Sequence, residues 1–411
     1  MPITPSRKRA GSDLDDGGQA PISNAIWWNK TCFRSVFERN LTALAVAEFI
    51  HARGNGSEPI ANIVILTDVG ESFLRYSDLI KSLYDSGFNI FTYDHQGQGL
   101  SESRLDKIQL NYVDSFEDYV DDLIVFIHEK IHNKDRSKRS NVDITTDFSV
   151  LPTYLLGHGL GGLIGSLAMS KSNKLIDRAV LTCPMFRSKC STMYFNYEYP
   201  IPQPLVYWGT WLANYVGLGT AIFPGFHEEN LRENLPLNVT TSDHHKLMQW
   251  QHLRRTYPKI ARSALTCNWL LEAIKCQKSY SQRYDVLKTN TLIISAEHDK
   301  FVWNKAMTMF CKANINYVKA LLAKNAYHDI LFEKPEISNA VEFAIKSFFT
   351  QEEDEIKHFK NHSTLFNEKT QPVFSTAELI FRLSGFALCG IGFVTGCAML
   401  MSDGSSRKAI K

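Results

Sequence analysis

Several things are missing from this 411-residue chain, and each absence closes a class of function. There is no excess of charge: 45 Lys and Arg face 43 Asp and Glu, for a net +2. That balance leaves no basic excess to neutralise a phosphate backbone, so no nucleic-acid partner is predicted. There is no apolar run near the start. Met1–Ala25 is polar with one small basic cluster, Arg7-Lys8-Arg9, which excludes a secretory signal and predicts a disordered tail. The eight cysteines form no CxxC or metal-type spacing, so no metal or cofactor is expected, and the thiols should be reduced and mostly buried. The triplets at Asn29, Asn40 and Asn238 would be glycosylated only in a secretory lumen.

Two more absences concern the glycine-dense stretch Leu155 to Gly165. No Lys-Ser/Thr pair follows it, which excludes a Walker loop. No acidic residue follows the next strand, where Thr182-Cys183-Pro184 stands, which argues against a dinucleotide fingerprint. What remains is an apolar strand (Tyr154–Leu156), a sharp turn, and a helix opening on Leu160. Strand, turn and helix in the pattern Gly-x-Nu-x-Gly describe a nucleophile elbow, whose glycines let strand and helix approach closely. The position that should hold the nucleophile is Gly159.

The remaining pattern predicts an α/β protein with a doubly wound, mostly parallel sheet. Strands are predicted at Ala43–Phe49, Asn62–Leu66, Phe88–Tyr93, Ala179–Thr182, Thr291–Ser295 and Tyr317–Leu322. Helices are predicted at Phe73–Tyr84, after a capping box at Ser115–Asp118, at Trp303–Lys312 and at Ile337–Phe349. Asn133–Asp147 reads as a solvated loop. The rhythm breaks from Pro184: Met193–Phe226 is rich in aromatics and prolines, and His244–Lys275 reads as helical. This has the composition of a cap, with Trp208, Trp211 and Tyr215 expected mostly in its own core and an apolar acyl groove beneath. The predicted organisation is a tail (1–25), a core (26–185), a cap (186–285), the rest of the core (286–350), a charged linker (351–376), a hydrophobic helix (377–402) and a short tail (403–411).

Leu383–Met401 carries no charge, and as a helix it would span about 28 Å, close to the roughly 30 Å of a bilayer core. Gly392 and Gly396 would form a close-packing face. A single membrane pass is therefore expected near the C-terminus. Arg407, Lys408 and Lys411 argue mildly for a cytoplasmic C-terminus. The missing signal outweighs them, and the large domain is expected on the cytoplasmic side.

Asp299 and His328 follow the two last predicted strands, where this order of elements puts an orienting acid and a general base. Further motifs lie in sequence order: Glu71-Ser72-Phe73-Leu74-Arg75-Tyr76, Asp94-His95-Gln96-Gly97-Gln98-Gly99, Asp118 to Leu123, Pro184-Met185-Phe186 and Tyr327 to Lys334. From about Ala43 to Phe349 the chain resembles the lysophospholipase and monoacylglycerol-lipase branch of the α/β hydrolases, also called serine-aminopeptidase-like. The likeness is nearest to the bacterial inner-membrane lysophospholipases. It implies a capped α/β-hydrolase fold, lipid-ester substrates and a Ser-Asp-His mechanism.

The departures from that family gather at the chemistry. Gly157-His158-Gly159-Leu160-Gly161-Gly162 stands where the family has Gly-His-Ser-x-Gly-Gly. Thr67-Asp68 replaces the Gly usual in the first oxyanion-hole loop, and Gln96 replaces an Arg. The Leu160 amide remains as one oxyanion donor, with the Asp68 carboxylate expected beside it and opposed to an oxyanion. Losing a triad serine costs on the order of a millionfold in rate, about 8 kcal/mol. His158 should leave the elbow in another direction and is a poor substitute nucleophile. The leading expectation is a membrane-anchored protein that binds lipid or acyl chains without serine hydrolysis. Alternatives are an esterase using water activated by His328–Asp299, or non-hydrolytic chemistry on that pair, such as a lyase or cofactor-free oxygenase.

Overall fold

In the computed structural model the described residues are 22–39, 42–51, 58–105, 110–133, 150–189, 201–224, 237–261, 264–284 and 287–351. Nearly all of the expected tail, most of the Asn133–Asp147 loop, the linker and the 377–402 helix lie outside them.

A continuous β-branched run needs cover on both faces, and Asn62–Leu66 (β3) is buried at every position. It sits mid-sheet. Eight strands run in the order β1-β2-β4-β3-β6-β7-β9-β10, with β1 Cys32–Arg39, β2 Thr42–Phe49, β4 Asn89–Tyr93, β6 Thr153–His158, β7 Arg178–Thr182, β9 Asn290–Ala296 and β10 Val318–Ala323. From β4 to β10 all neighbours are parallel. The β1–β2 and β2–β4 pairs are antiparallel. The chain steps from β3 outward to β4, then crosses back to β6 on the other side. That reversal makes a switch point at the carboxyl ends of β3 and β6, the place where open α/β sheets hold their ligands.

Helices α1 (Ala25–Thr31), α2 (Ser77–Asp85), α3 (Phe116–Lys130), α4 (Leu160–Lys171), α8 (Asn304–Ala313) and α9 (Pro335–Thr350) surround this sheet. Their apolar faces follow from sequence spacing. In α3 the buried set is Phe116, Tyr119, Val120, Asp122, Leu123, Phe126 and Ile127, with Ile124 half-buried beside it. The expected capping box is half made. Ser115 Oγ accepts the Glu117 amide, while Asp118 turns to Arg104. Strand β1 was not foreseen, because Arg34, Glu38 and Arg39 interrupt its apolar alternation on what is a sheet edge.

Between β7 and β9 lie α5 (Gln203–Tyr215), α6 (His244–Thr256) and α7 (Cys267–Ser281). Two expectations need correction here. The segment His244–Lys275 is not one helix: Pro258 starts a separate 3-10 turn and Ala264–Leu265 (β8) pairs with Leu110–Asn111 (β5). Proline cannot continue the α6 hydrogen-bond ladder, and the backbone freed after it joins a strand. Nor do Trp208, Trp211 and Tyr215 form a cap core. They are 60%, 41% and 77% exposed, because α5 buries Val206, Thr210 and Ala213 instead. Of the five free cysteines described, Cys183 and Cys267 are buried and Cys32, Cys276 and Cys311 are half-buried. The expectation of mostly buried thiols therefore holds for two of the five.

Among the described residues no helix is long and apolar enough to cross a membrane.

Candidate active site

The elbow is built as the glycine pattern requires. Gly159 closes β6 at φ 49° and ψ −110°, a backbone conformation that L side chains enter only under strain. Gly161 brings α4 against β3, since a Cβ there would stand 2.5 Å from the Leu66 carbonyl oxygen. The Gly161 amide donates to the Thr67 carbonyl at 3.1 Å. This contact sets the loop after β3 beside the elbow.

That loop carries Asp68, which enters the place a nucleophile would take. A Cβ on Gly159 would overlap Asp68 Oδ1 and Cγ. Asp68 Oδ1 accepts the Leu160 amide at 2.8 Å, so the expected oxyanion donor already holds an anion of the chain itself. Asp68 Oδ2 lies 3.2 Å from His328 Nε2. His328 Nδ1 reaches Asp299 Oδ2 at 2.7 Å. Asp299 is fixed in turn, its Oδ1 accepting the Phe301 and Val302 amides at 2.8 and 2.9 Å. The structure thus brings together all five residues marked in the sequence: Gly159, Leu160, Asp68, Asp299 and His328. It differs from expectation in one respect. His328 Nε2 meets the Asp68 carboxylate, which was expected only beside the Leu160 amide, and Asp68, His328 and Asp299 are all buried. Burial alone would push the His328 imidazole down, but the charges of Asp299 and Asp68 at its two nitrogens hold it well above its ordinary value.

Sequence reasoning gave three residues no supporting part in the site. Cys183, which follows β7, has φ 46°, and its Sγ lies within 4.8 Å of the ligand atoms of His328 and Asp299. Burial pushes that thiol up to about 12, so it is protonated and a weak nucleophile near neutrality. Its one signal was its place at a strand end beside Pro184. His158 Nδ1 lies 3.1 Å from the Thr182 carbonyl oxygen and 3.0 Å from Thr182 Oγ1. Arg75 ties the loop after β3 to the residue after His328. It pairs with Glu71 and, at 2.7 Å, with Asp329 Oδ2. Breaking such a buried pair typically costs about 3–5 kcal/mol. Glu71 also accepts the Tyr76 hydroxyl at 2.5 Å, and Asp94 takes Ser72 Oγ, the Phe73 amide and the Leu100 amide, each at 2.7 Å. The motif residues around Glu71 and Asp94 therefore form the frame of the site.

One cavity of about 410 Å³ lies against α2, α6 and α9, lined in part by Leu74, Trp250, Leu253 and Phe332. Its lining includes none of the five marked residues, so it is not the acyl groove expected above the elbow.

A parallel sheet with a nucleophile elbow, an acid after β9 and a histidine after β10 define an α/β-hydrolase fold. The model of the serine aminopeptidase, S33, family matches residues 57–335, and the chain belongs to that family. Lysophospholipase L2 of Escherichia coli (strain K12) is 27% identical over 297 residues, covering 70% of this chain and 80% of the relative. Human monoglyceride lipase is 21% identical over 297 residues, covering 71% and 83%. Among solved structures, a soluble variant of the monoglyceride lipase of Saccharomyces cerevisiae, in complex with a substrate analog, shares the fold. It has a TM-score of 0.60 at 16% identity, covering 78% of this chain and 96% of that one.

Proposed function

We propose that this protein binds a lysophospholipid- or monoglyceride-like acyl lipid at a membrane and does not hydrolyse it by the serine route. One observation carries the reading: the Asp68 carboxylate occupies both the nucleophile's space at Gly159 and the Leu160 amide that would receive an oxyanion. An ester carbonyl placed there would meet a negative charge where its own charge must develop, which raises the barrier. Activation of water by His328 alone is disfavoured by the same contact, since Nε2, the nitrogen that would take the proton, is engaged by Asp68. The lipid class is supported by relatives named as lysophospholipase and monoglyceride lipase. Membrane association is supported by the exposed aromatic face of α5, which carries no charge, and by the uncharged run Leu383–Met401.

The test combines turnover with binding. At high protein concentration, wild type is expected to release no fatty acid from a lysophospholipid or a monoglyceride beyond a heat-denatured control, while native mass spectrometry detects copurified acyl lipid. Turnover that disappears in His328→Ala would overturn the proposal in favour of an active esterase.

A further inference from the structure

We propose that Asp68, His158 and His328 form a binding site for a first-row divalent metal ion such as Zn²⁺ or Fe²⁺, beside the elbow. One ligand atom from each lies within 4.8 Å of the others, and all three residues are buried. They come from three strand ends: the loop after β3, the last residue of β6 and the loop after β10. Two imidazoles and one carboxylate with open positions are a donor set suited to Zn²⁺ or Fe²⁺ and too hard for a thiolate-type site.

The outer partners carry the argument further than proximity does. A ligating histidine almost always gives its other ring nitrogen to a carboxylate or a carbonyl, which fixes its tautomer and aim. Both histidines here are held that way, His328 Nδ1 by Asp299 at 2.7 Å and His158 Nδ1 by the Thr182 carbonyl at 3.1 Å. Asp68 is oriented by the Leu160 amide at 2.8 Å. With Nδ1 engaged by Thr182, the nitrogen left for a ligand on His158 is Nε2. Among the described residues that atom is buried without a hydrogen-bond partner, with Asp329 Oδ1 outside hydrogen-bond reach at 3.8 Å. A buried ring nitrogen left unpartnered is costly, and an ion would satisfy it. Metal–ligand bonds of about 2 Å require the three atoms to draw inward and the proton between His328 and Asp68 to leave as the ion enters. The alternative set of Cys183, Asp299 and His328 is less apt, because it would take Asp299 away from His328 Nδ1.

This inference is independent of the lipid reading, which stands or falls on acyl binding. The experiment uses the full chain, stripped with a chelator, dialysed, and titrated to equilibrium with Zn²⁺ by calorimetry and with Co²⁺ by visible absorption. One ion per chain is expected, with Co²⁺ bands of a low-coordinate nitrogen and oxygen site. Asp68→Asn and His158→Gln should each weaken binding by at least 100-fold, and Asp299→Asn, which alters only an outer partner, by about 10- to 100-fold. The thermal transition of each variant shows whether it is folded, and Asp68→Asn keeps the test open if His158→Gln is not. His244→Ala/His245→Ala, on the exposed start of α6, should bind as wild type does. Absence of stoichiometric binding, binding unaffected by Asp68→Asn, or binding lost in the α6 variant would overturn the site.

Discussion

At Gly159 two costs meet, one of backbone and one of space. A side chain there must accept φ 49°, which costs about 1–3 kcal/mol for a non-glycine residue, and it must displace Asp68 from the Leu160 amide. Gly159→Ser is therefore expected to destabilise the protein by roughly 1–3 kcal/mol or more and to show at most weak esterase activity. Adding Asp68→Gly should recover part of that stability and raise activity by about 100- to 1,000-fold over the single variant, the range associated with one oxyanion donor. Chemical denaturation and hydrolysis of a short aryl ester, run on both variants, give the coupling directly. Full activity in the single variant would mean that Asp68 yields its place freely. How much of this was readable beforehand differs residue by residue. Gly159, Asp299 and His328 follow from chain order alone, because each must end a strand. Asp68 was expected beside the Leu160 amide, but only the packing of the loop after β3 shows that its carboxylate also fills the space of a Gly159 side chain. His158 and Cys183 were opaque as partners of His328, since no local spacing links three strand ends.

Among the elements, those with a buried period were the readable ones. β3, β4, β6, β7, β9 and β10 are parallel or central and nearly continuous in apolar residues, so the sequence predicts them to within one or two positions. β1 is an edge, and β5 and β8 are two residues each, too short to carry any period. α5 misled for a different reason: aromatic residues suggest a core, yet here they point outward. Trp and Tyr are favoured where one side is apolar and the other wet, which fits a face that meets a lipid surface. Replacing Trp208, Trp211 and Tyr215 together by Ser should reduce binding to phosphatidylcholine vesicles by at least tenfold in a flotation assay, with the thermal transition within a few degrees of wild type. Unchanged flotation would remove α5 from the membrane account, and a collapsed transition would show that these rings support the fold after all.

For the molecule as a whole, the membrane account divides between α5 and the 377–402 segment. Removing residues 377–411 should shift the protein from the membrane pellet to the soluble fraction while its thermal transition is kept. Loss of that transition would make the segment part of the folded core, and an unchanged pellet would assign membrane attachment elsewhere. The family match ends at residue 335, so this segment owes nothing to the family pattern and its reading rests on hydropathy and length.

The bridge from Arg75 to Asp329 spans 254 positions of sequence, and it imposes an order on synthesis. The guanidinium follows β3, among the first strands made, and its partner follows β10, the last. At about 5–20 residues per second, a ribosome needs on the order of tens of seconds to bring the second after the first. Through that interval Glu71 is the one carboxylate of the two present for Arg75, so the tie between the loop after β3 and the residue after His328 closes only once Asp329 has been made. The contact of Asp68 with His328 likewise waits for the chain beyond β10.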